Sequence, residues 1–512
     1  MITSKTPVAA VLGSALVLLS NAGSPVLAEI QKPVGKFGSE TDAALPFTIS
    51  FSEVSHPPGH PPALHSFRLA VADDGTWLML GGRGAPADKV DSIGQSGLHG
   101  FNPPAAQKNN FPRPSYNTAI WTYHPDTGET ASFDTEKLPK DLARPLQTTS
   151  QQAWYDREAD LLTIVGGYGW NEDLTDLKTY ETMIQVPLDP LIEAIESYAP
   201  ADKVEGLFKK LEHPMLQVTG GDMVKAGNSF YLIFGQKFMG SYFAFGAGLP
   251  SGTTQEYTEE IRAITMVPGE FDILNISALP KDNPEEYHRR DLNIDLTIDA
   301  PSGEPRVGIY GGVFKRGGPG GFEHPILFDA DEGVISLESG GSQLFNAYAT
   351  AVVPIWADGA GVMSQVFFGG IGRGVYHTHG QDIGLDNDSM PFGSDVSVLT
   401  HDKDGSWSEY VLAKPVPRNQ LLATNGAFIP APELREQGHL LEDSIIALDS
   451  LPEGDEVMVG WIYGGILAGM PQPPKHPEKG DEVPTAATNK IFEVYLSRTP
   501  GAAIPVLGDN DE

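Results

Sequence analysis

Short apolar runs that stop at small residues recur six times along the chain, and five of the stops are a double glycine. They are Trp77-Leu-Met-Leu-Gly81-Gly82, Leu161-Leu-Thr-Ile-Val-Gly166-Gly167, Phe230-Tyr-Leu-Ile-Phe-Gly235, Val307-Gly-Ile-Tyr-Gly311-Gly312, Val366-Phe-Phe-Gly369-Gly370 and Val459-Gly-Trp-Ile-Tyr-Gly464-Gly465. In the third copy Gln236 stands where a second glycine is expected. Runs this short, rich in Val, Ile, Leu, Phe and Tyr and ended by glycine, predict buried strands rather than helices.

The first run sits in a four-part phrase. A strand expected at the outside, His65 to Ala72, leads through Asp73-Asp74-Gly75 into the glycine-ended strand. After an interval come Thr118 to Tyr123, the turn His124-Pro-Asp-Thr-Gly128, and Glu129 to Phe133. Turn signals recur in register at Asp156, Lys225, Pro301, Ala357 and Pro452 between first and second strands, and at Asp329 and Asp402 between third and fourth. Asp, Asn and Gly favour such hairpins because they tolerate the backbone angles a tight turn needs. A repeated four-stranded antiparallel unit is the building block of a propeller, which removes exposed sheet edges by radial repetition.

The glycine pair followed by an aromatic strand resembles the kelch repeat. The resemblance implies an all-β, six-bladed kelch-type β-propeller over residues 46–500. Spacings of 58 to 95 residues between glycine stops exceed the usual kelch period of about 50, so the surplus is expected in loops. Pro46-Phe-Thr-Ile-Ser-Phe51 has no phrase of its own, while the last phrase, ending at Lys490 to Leu496, lacks a fourth strand. The N-terminal strand is therefore expected to complete the last blade and close the ring. Residues 190–213 carry helical spacing (Leu191, Ile192, Ile195, Val204, Leu207, Phe208, Leu211) and read as a packed insertion; residues 501–512 read as an acidic tail.

Lys5, the apolar stretch Val8 to Leu19 and Val26-Leu27-Ala28 have the pattern of an export signal, so residues 1–28 are expected to be removed and the protein to be periplasmic or extracellular, without a stable membrane anchor. There is no cysteine, hence no disulfide. A net charge of −33 excludes nucleic acid as an electrostatic partner. The chain is expected to act as a monomer with a glycan or a protein as its ligand.

In a four-stranded blade the connections after the second strand share one face. Here they are long, at 83–117, 236–256, 371–394 and 466–488, while turns on the other face are expected to be uniformly short. Long loops on a rigid scaffold are where binding usually resides. Arg83, Lys237, Lys315, Arg316 and Arg373, with Arg289 or Arg290, are candidates for holding an anion such as an acidic sugar. Phe238, Tyr242, Phe243, Phe245 and Tyr376 offer rings for sugar stacking, or else pack a long loop onto its neighbours. His377 and His379, two apart on an extended segment, with His56, His60 or His65 and Asp382 or Asp386, define a possible divalent-metal site. Asp386-Asn-Asp388 is a fragment of a calcium-loop pattern.

The kelch resemblance extends to galactose oxidase and the sialic acid mutarotases. The first uses a tyrosine–cysteine copper radical site, which a chain without cysteine cannot build. The second implies acid/base chemistry on a sugar at the channel mouth, although only the repeats match. The alternatives are thus a binding propeller, a mutarotase- or isomerase-like enzyme, and a histidine-ligated metal enzyme.

Overall fold

The computed structural model describes residues 35–59, 61–84, 111–242, 252–316, 320–377, 390–469 and 485–508, which fall within one compact unit. Each apolar run becomes the second strand of a four-stranded antiparallel meander, giving the all-β architecture of repeated four-stranded sheets seen in β-propellers. Sheet one is Arg68–Val71, Trp77–Leu80, Ala119–Tyr123 and Thr130–Asp134. Sheets two to five start at Gln152–Asp156, Asp222–Ala226, Asn293–Asp299 and Ala351–Ala357 and run outward through three more strands each. Sheet six consists of Leu421–Pro430, Val457–Ala468, Ile491–Ser497 and the N-terminal strand Thr48–Glu53, which pairs in register from Thr48 opposite Ser497 to Glu53 opposite Phe492.

The first strand, expected at the outside, is innermost: first strands of neighbouring sheets lie against one another. Apolar side chains fill the spaces between sheets. Leu78 and Leu80 meet Leu162 and Ile164, Val165 and Met183 meet Phe230 and Ile264, and Ile233 meets Val307 and Ile309. Tyr310 packs on Phe367, and Val366, Phe368, Ile462, Phe492, Trp77 and Met79 share the largest cluster. Burial of this kind, at about 25 cal/mol per Å² of apolar surface, is the main stabilising term in a chain with no cross-links.

The glycine stops act between sheets. The N–H of Gly82 donates to the Thr148 carbonyl (2.8 Å) and that of Gly167 to Val218 (2.8 Å), each on the lead-in to the next sheet. Gly166 lies so close to that lead-in that a Cβ would fall 2.1 Å from the Val218 carbonyl oxygen, at a φ of +68°. Gly464 of sheet six makes the same approach to Leu64, which leads into sheet one. The third copy keeps the geometry in a different register from that expected. Its left-handed pair is Phe234 (φ 51°) and Gly235 (φ 90°), not Gly235 and Gln236. Gly235 N–H reaches the Arg289 carbonyl (3.0 Å), and the buried Phe234 ring stacks on Tyr287. That packing holds a bulky residue in a conformation that ordinarily costs about 1–2 kcal/mol.

A second set of left-handed residues stands two residues before five of the first strands, at Ser66, Ser150, Gly220, Asp291 and Ala349, and within the sixth, at Asn425. Five backbone hydrogen bonds link them into a collar, with none between Asp291 and Ala349 among the described residues. Ser66 N–H donates to Asn425 (3.1 Å), Ser150 to Ser66 (3.1 Å), Gly220 to Ser150 (3.0 Å), Asp291 to Gly220 (2.8 Å), and Asn425 to the carbonyl of Ala349.

Three features depart from the sequence expectation, and a fourth follows it. The connection between the first two strands of sheet six is an insertion rather than a short turn; it carries Ile445–Ala447, which pairs parallel with the inner edge of sheet five (Ile355 opposite Ile446). The connections after the glycine stops of sheets two and three join into a separate small sheet, Tyr168–Trp170, Leu177–Thr179, Gln236–Met239 and Thr254–Tyr257. Gly501–Gly508, expected as tail, is a strand that extends sheet five, placing Val506 opposite Glu409 and Gly508 opposite Gly35. The helical spacing after Pro190 becomes Leu188–Glu196 and Ala201–Glu205, whose Leu191, Ile192, Ile195 and Val204 are buried against sheets one and two.

Candidate functional site

Because the first strands lie inside, residues of five sheets, with Ser150 on the lead-in to sheet two, wall a common cavity of about 320 Å³ at the collar. It shares Asp222, Asp295, Phe428 and Ser444 with an adjoining cavity of about 910 Å³, whose far wall includes Leu440, Glu442 and Asp443 of the sheet-six insertion. The concave, part-apolar and part-polar lining is the form that small-molecule sites take.

The polar side chains come from the second residue beyond the collar in sheets one, three and four. Arg68 follows Ser66, Asp222 follows Gly220, and Asn293 follows Asp291, with Asp295 one strand repeat further on. Alternation along a strand puts 293 and 295 on one face. Arg68 Nη1 lies 2.9 Å from Asp222 Oδ2, and its Nη2 donates to the Gln151 carbonyl. The other Asp222 oxygen accepts from Met223 N–H (2.9 Å). Asn293 is buried and ties sheet four to sheet five, donating to the Ala347 carbonyl and accepting from Thr350 N–H (2.7 Å).

Asp295 accepts a hydrogen bond from Leu296 N–H (3.0 Å). Burial raises its carboxyl to about 7 and Asp222 adds to the rise, against the Leu296 N–H. Asp291 is also raised by burial, opposed by the Arg290 guanidinium, whose Nη1 lies 3.5 Å away. Two carboxylates with different surroundings, one paired to arginine and one poised near neutrality, can divide charge stabilisation and proton transfer between them.

The residues singled out from the sequence lie elsewhere. Arg83 is buried over the Phe111 ring at 4.2 Å, and desolvation lowers it to about 10. Arg373 is fully buried and pairs with Glu323 (2.9 Å), which also faces Lys315 at 3.5 Å. Arg316 pairs with Glu259 and Glu285, and Arg289 with Glu286 (2.7 Å). Arg290 donates to the Tyr242 hydroxyl (2.9 Å) and the Tyr257 hydroxyl (3.2 Å), tying sheet four's lead-in to the small sheet. Lys237 lies in that small sheet opposite Glu256. Phe238 and Tyr242 pack edge-on to each other among Phe111 and Tyr168, so they anchor a connection rather than present a free face. Tyr376 is partly exposed, edge-on to Phe37. Phe243 and Phe245 lie outside the described residues.

The histidines are not brought together as a metal site among the described residues. His377 uses both ring nitrogens, Nδ1 on Asp395 Oδ1 (2.6 Å) and Nε2 on the Ala413 carbonyl (2.9 Å), leaving no lone pair for a cation in that arrangement. His65 is buried with Nδ1 on the Ser66 hydroxyl (2.9 Å). His60, His379, Asp382, Asp386 and Asp388 lie outside the described residues. No protein-family model matches the chain, and no curated protein matches it in sequence.

Proposed function

We propose that this chain is an exported, six-bladed kelch-type propeller, closed by its N-terminal strand, that binds a small polyhydroxylated molecule such as a sugar in its central cavity. The observation that carries the reading is the cavity walled by the first strands of five sheets and by Ser150 on the lead-in to sheet two, and furnished with Arg68, Asp222, Asp291, Asn293 and Asp295. A six-membered ring is supported by the collar and by the approach of Gly464 to Leu64, which links last sheet to first. An anionic ligand finds less support, because Arg289, Arg316 and Arg373 are paired to carboxylates. The carboxylates and amide of the wall suit hydroxyl groups, each of which can both donate and accept.

The test is calorimetry and thermal shift with neutral sugars and polyols at millimolar concentration, on the native protein and on Asp222→Asn. Saturable binding weakened at least tenfold in the variant is expected; no binding by any member of the panel refutes the reading. A second reading, proton transfer on a bound sugar as in mutarotation or isomerisation, is favoured by Asp295, whose carboxyl near 7 suits an acid/base group at neutral pH. It predicts turnover that Asp295→Asn removes while binding persists.

A further inference from the structure

The charges around the cavity are unevenly matched. The smaller cavity presents Asp222, Asp291 and Asp295 against Arg68. Around the larger one, Asp156 is held by Lys225 (2.8 Å), Asp443 by Arg435 (2.9 Å) and Asp222 by Arg68 (2.9 Å). Arg157 turns out to Asp73. What is left over is negative: Glu158, Glu442 and Asp295 line the larger cavity and have no ion pair among the described residues. Asp295 alone of these three also lines the smaller cavity, where the narrow walls favour a direct contact.

Resting on the reading that the cavity holds a polyhydroxylated molecule, we propose that this ligand carries an ammonium group and that Asp295 receives it. The hydroxyls would meet Asn293, Asp222 and the collar, while the cation supplies the counter-charge that the wall lacks. An anion in the same place would add repulsion to a cavity already rich in carboxylate, and like charges brought together in a partly desolvated site cost more than they do in water. The strongly acidic chain, with 67 Asp and Glu against 34 Lys and Arg, biases approach the same way.

The pairing has a signature beyond affinity. Burial keeps the Asp295 carboxyl near 7, so about half the molecules hold its proton at pH 7. An ammonium placed against it favours the carboxylate, and the proton leaves to the buffer while the ligand keeps its own. Binding should therefore release about half a proton at pH 7 and almost none at pH 9. Asp222, Asp156 and Asp443 are ion-paired, Asp291 lies beside Arg290, and Glu158 and Glu442 line only the larger cavity, which leaves Asp295 as the source.

Three probes of one carbon skeleton test this: glucamine, glucitol and gluconate, which end in an ammonium, a hydroxyl and a carboxylate. Calorimetry at pH 7 in two buffers of different ionisation enthalpy measures affinity and protons released. Glucamine should bind at least tenfold more tightly than glucitol and release the proton, and gluconate should bind more weakly than either. Asp295→Asn, with thermal unfolding checked against the native protein, should abolish both the preference and the release, so that glucamine and glucitol bind the variant equally. Equal binding of glucamine and glucitol by the native protein overturns this inference but leaves the sugar-binding reading standing. A preference that survives Asp295→Asn overturns the assignment to that residue. Failure of all three probes overturns both.

Discussion

Glu409 offers a sharp test of how the C-terminal strand is seated. It belongs to the outer strand of sheet five, is 4% exposed, and lies opposite Val506 in the added strand. One carboxyl oxygen accepts from Phe345 N–H at 2.9 Å, and the other has no hydrogen-bond partner among the described residues. Burial raises its carboxyl from 4.5 to about 8, outweighing the backbone donors Phe345 and Leu344 and the attraction of Arg373. Below pH 4.5 both folded and unfolded chains hold the proton. Between pH 4.5 and 8 the unfolded chain ionises while the folded one does not, so stability falls as pH rises; above 8 the loss is complete. At about 1.4 kcal/mol per unit, the accumulated loss is under about 1 kcal/mol at pH 5 and about 3 kcal/mol at pH 7. Glu409→Gln keeps the acceptor for Phe345 and removes the titration. Denaturant midpoints of both proteins at each pH from 5 to 9 should show the variant gaining about 1.4 kcal/mol per unit up to pH 8 and nothing further beyond it. A difference that stays flat from pH 5 to 8 would refute the argument, because it would mean that water reaches Glu409 and the strand does not seal it.

Three further predictions concern the scaffold. Gly166→Ala should destabilise by at least about 2 kcal/mol more than Gly227→Ala: both positions have positive φ, but a Cβ strikes the Val218 carbonyl only at 166 and meets nothing within 4 Å at 227; equal thermal shifts would remove the glycine turn from the sheet-to-sheet contact. Leu191→Ala in the buried face of the inserted helix should cost about 2–5 kcal/mol by the same denaturation assay, and a loss below 1 kcal/mol would mean that the helix is a loose appendage. For His377, burial lowers the imidazole, but the Asp395 hydrogen bond and the Ala413 carbonyl more than compensate, so its pKa is raised. Its stabilisation is full below about pH 6.5 and fades as pH rises through the folded value; Asp395→Asn should erase that dependence in melting curves taken from pH 5 to 9.

Much of the scaffold was legible because its grammar is local. Apolar runs, glycine stops and hairpin turns are written within a few residues of each other, and nearly every one marks a strand or turn. The third copy misled because a left-handed pair was sought as glycines, whereas burial against Tyr287 lets Phe234 take the first place. Gly501–Gly508 was not expected as a strand because its partners, Glu409 and Gly35, lie far away in sequence, and for the same reason the pairing of Ile445–Ala447 with Ile355 was not legible. The candidate site was missed for a related reason. Attention went to charged residues in the long connections, where Arg83 and Arg373 turn out to be buried, while Arg68, Asp222 and Asp295 sit inside strands. The available signal was a polar residue, Arg68, Gln152, Asp222 or Asn293, at the same place in four of the first strands, legible once the repeats are aligned on those strands rather than on the glycine stops.

The pairing of chain ends also has a consequence in time. Thr48 faces Ser497 and Gly35 faces Gly508, so two neighbouring sheets are completed only by joining residues separated by almost the whole chain. A chain still being synthesised can build its middle sheets, but the added strand of sheet five and the outer strands of sheet six must wait for residues 491–508. Pairings of such sequence separation are slow, since loop-closure entropy must be overcome before they return any stabilisation. Until that moment the edges of Ile491–Ser497 and Trp407–Leu412 stand open, which makes the nearly finished chain, rather than the short one, the stage most exposed to mispairing.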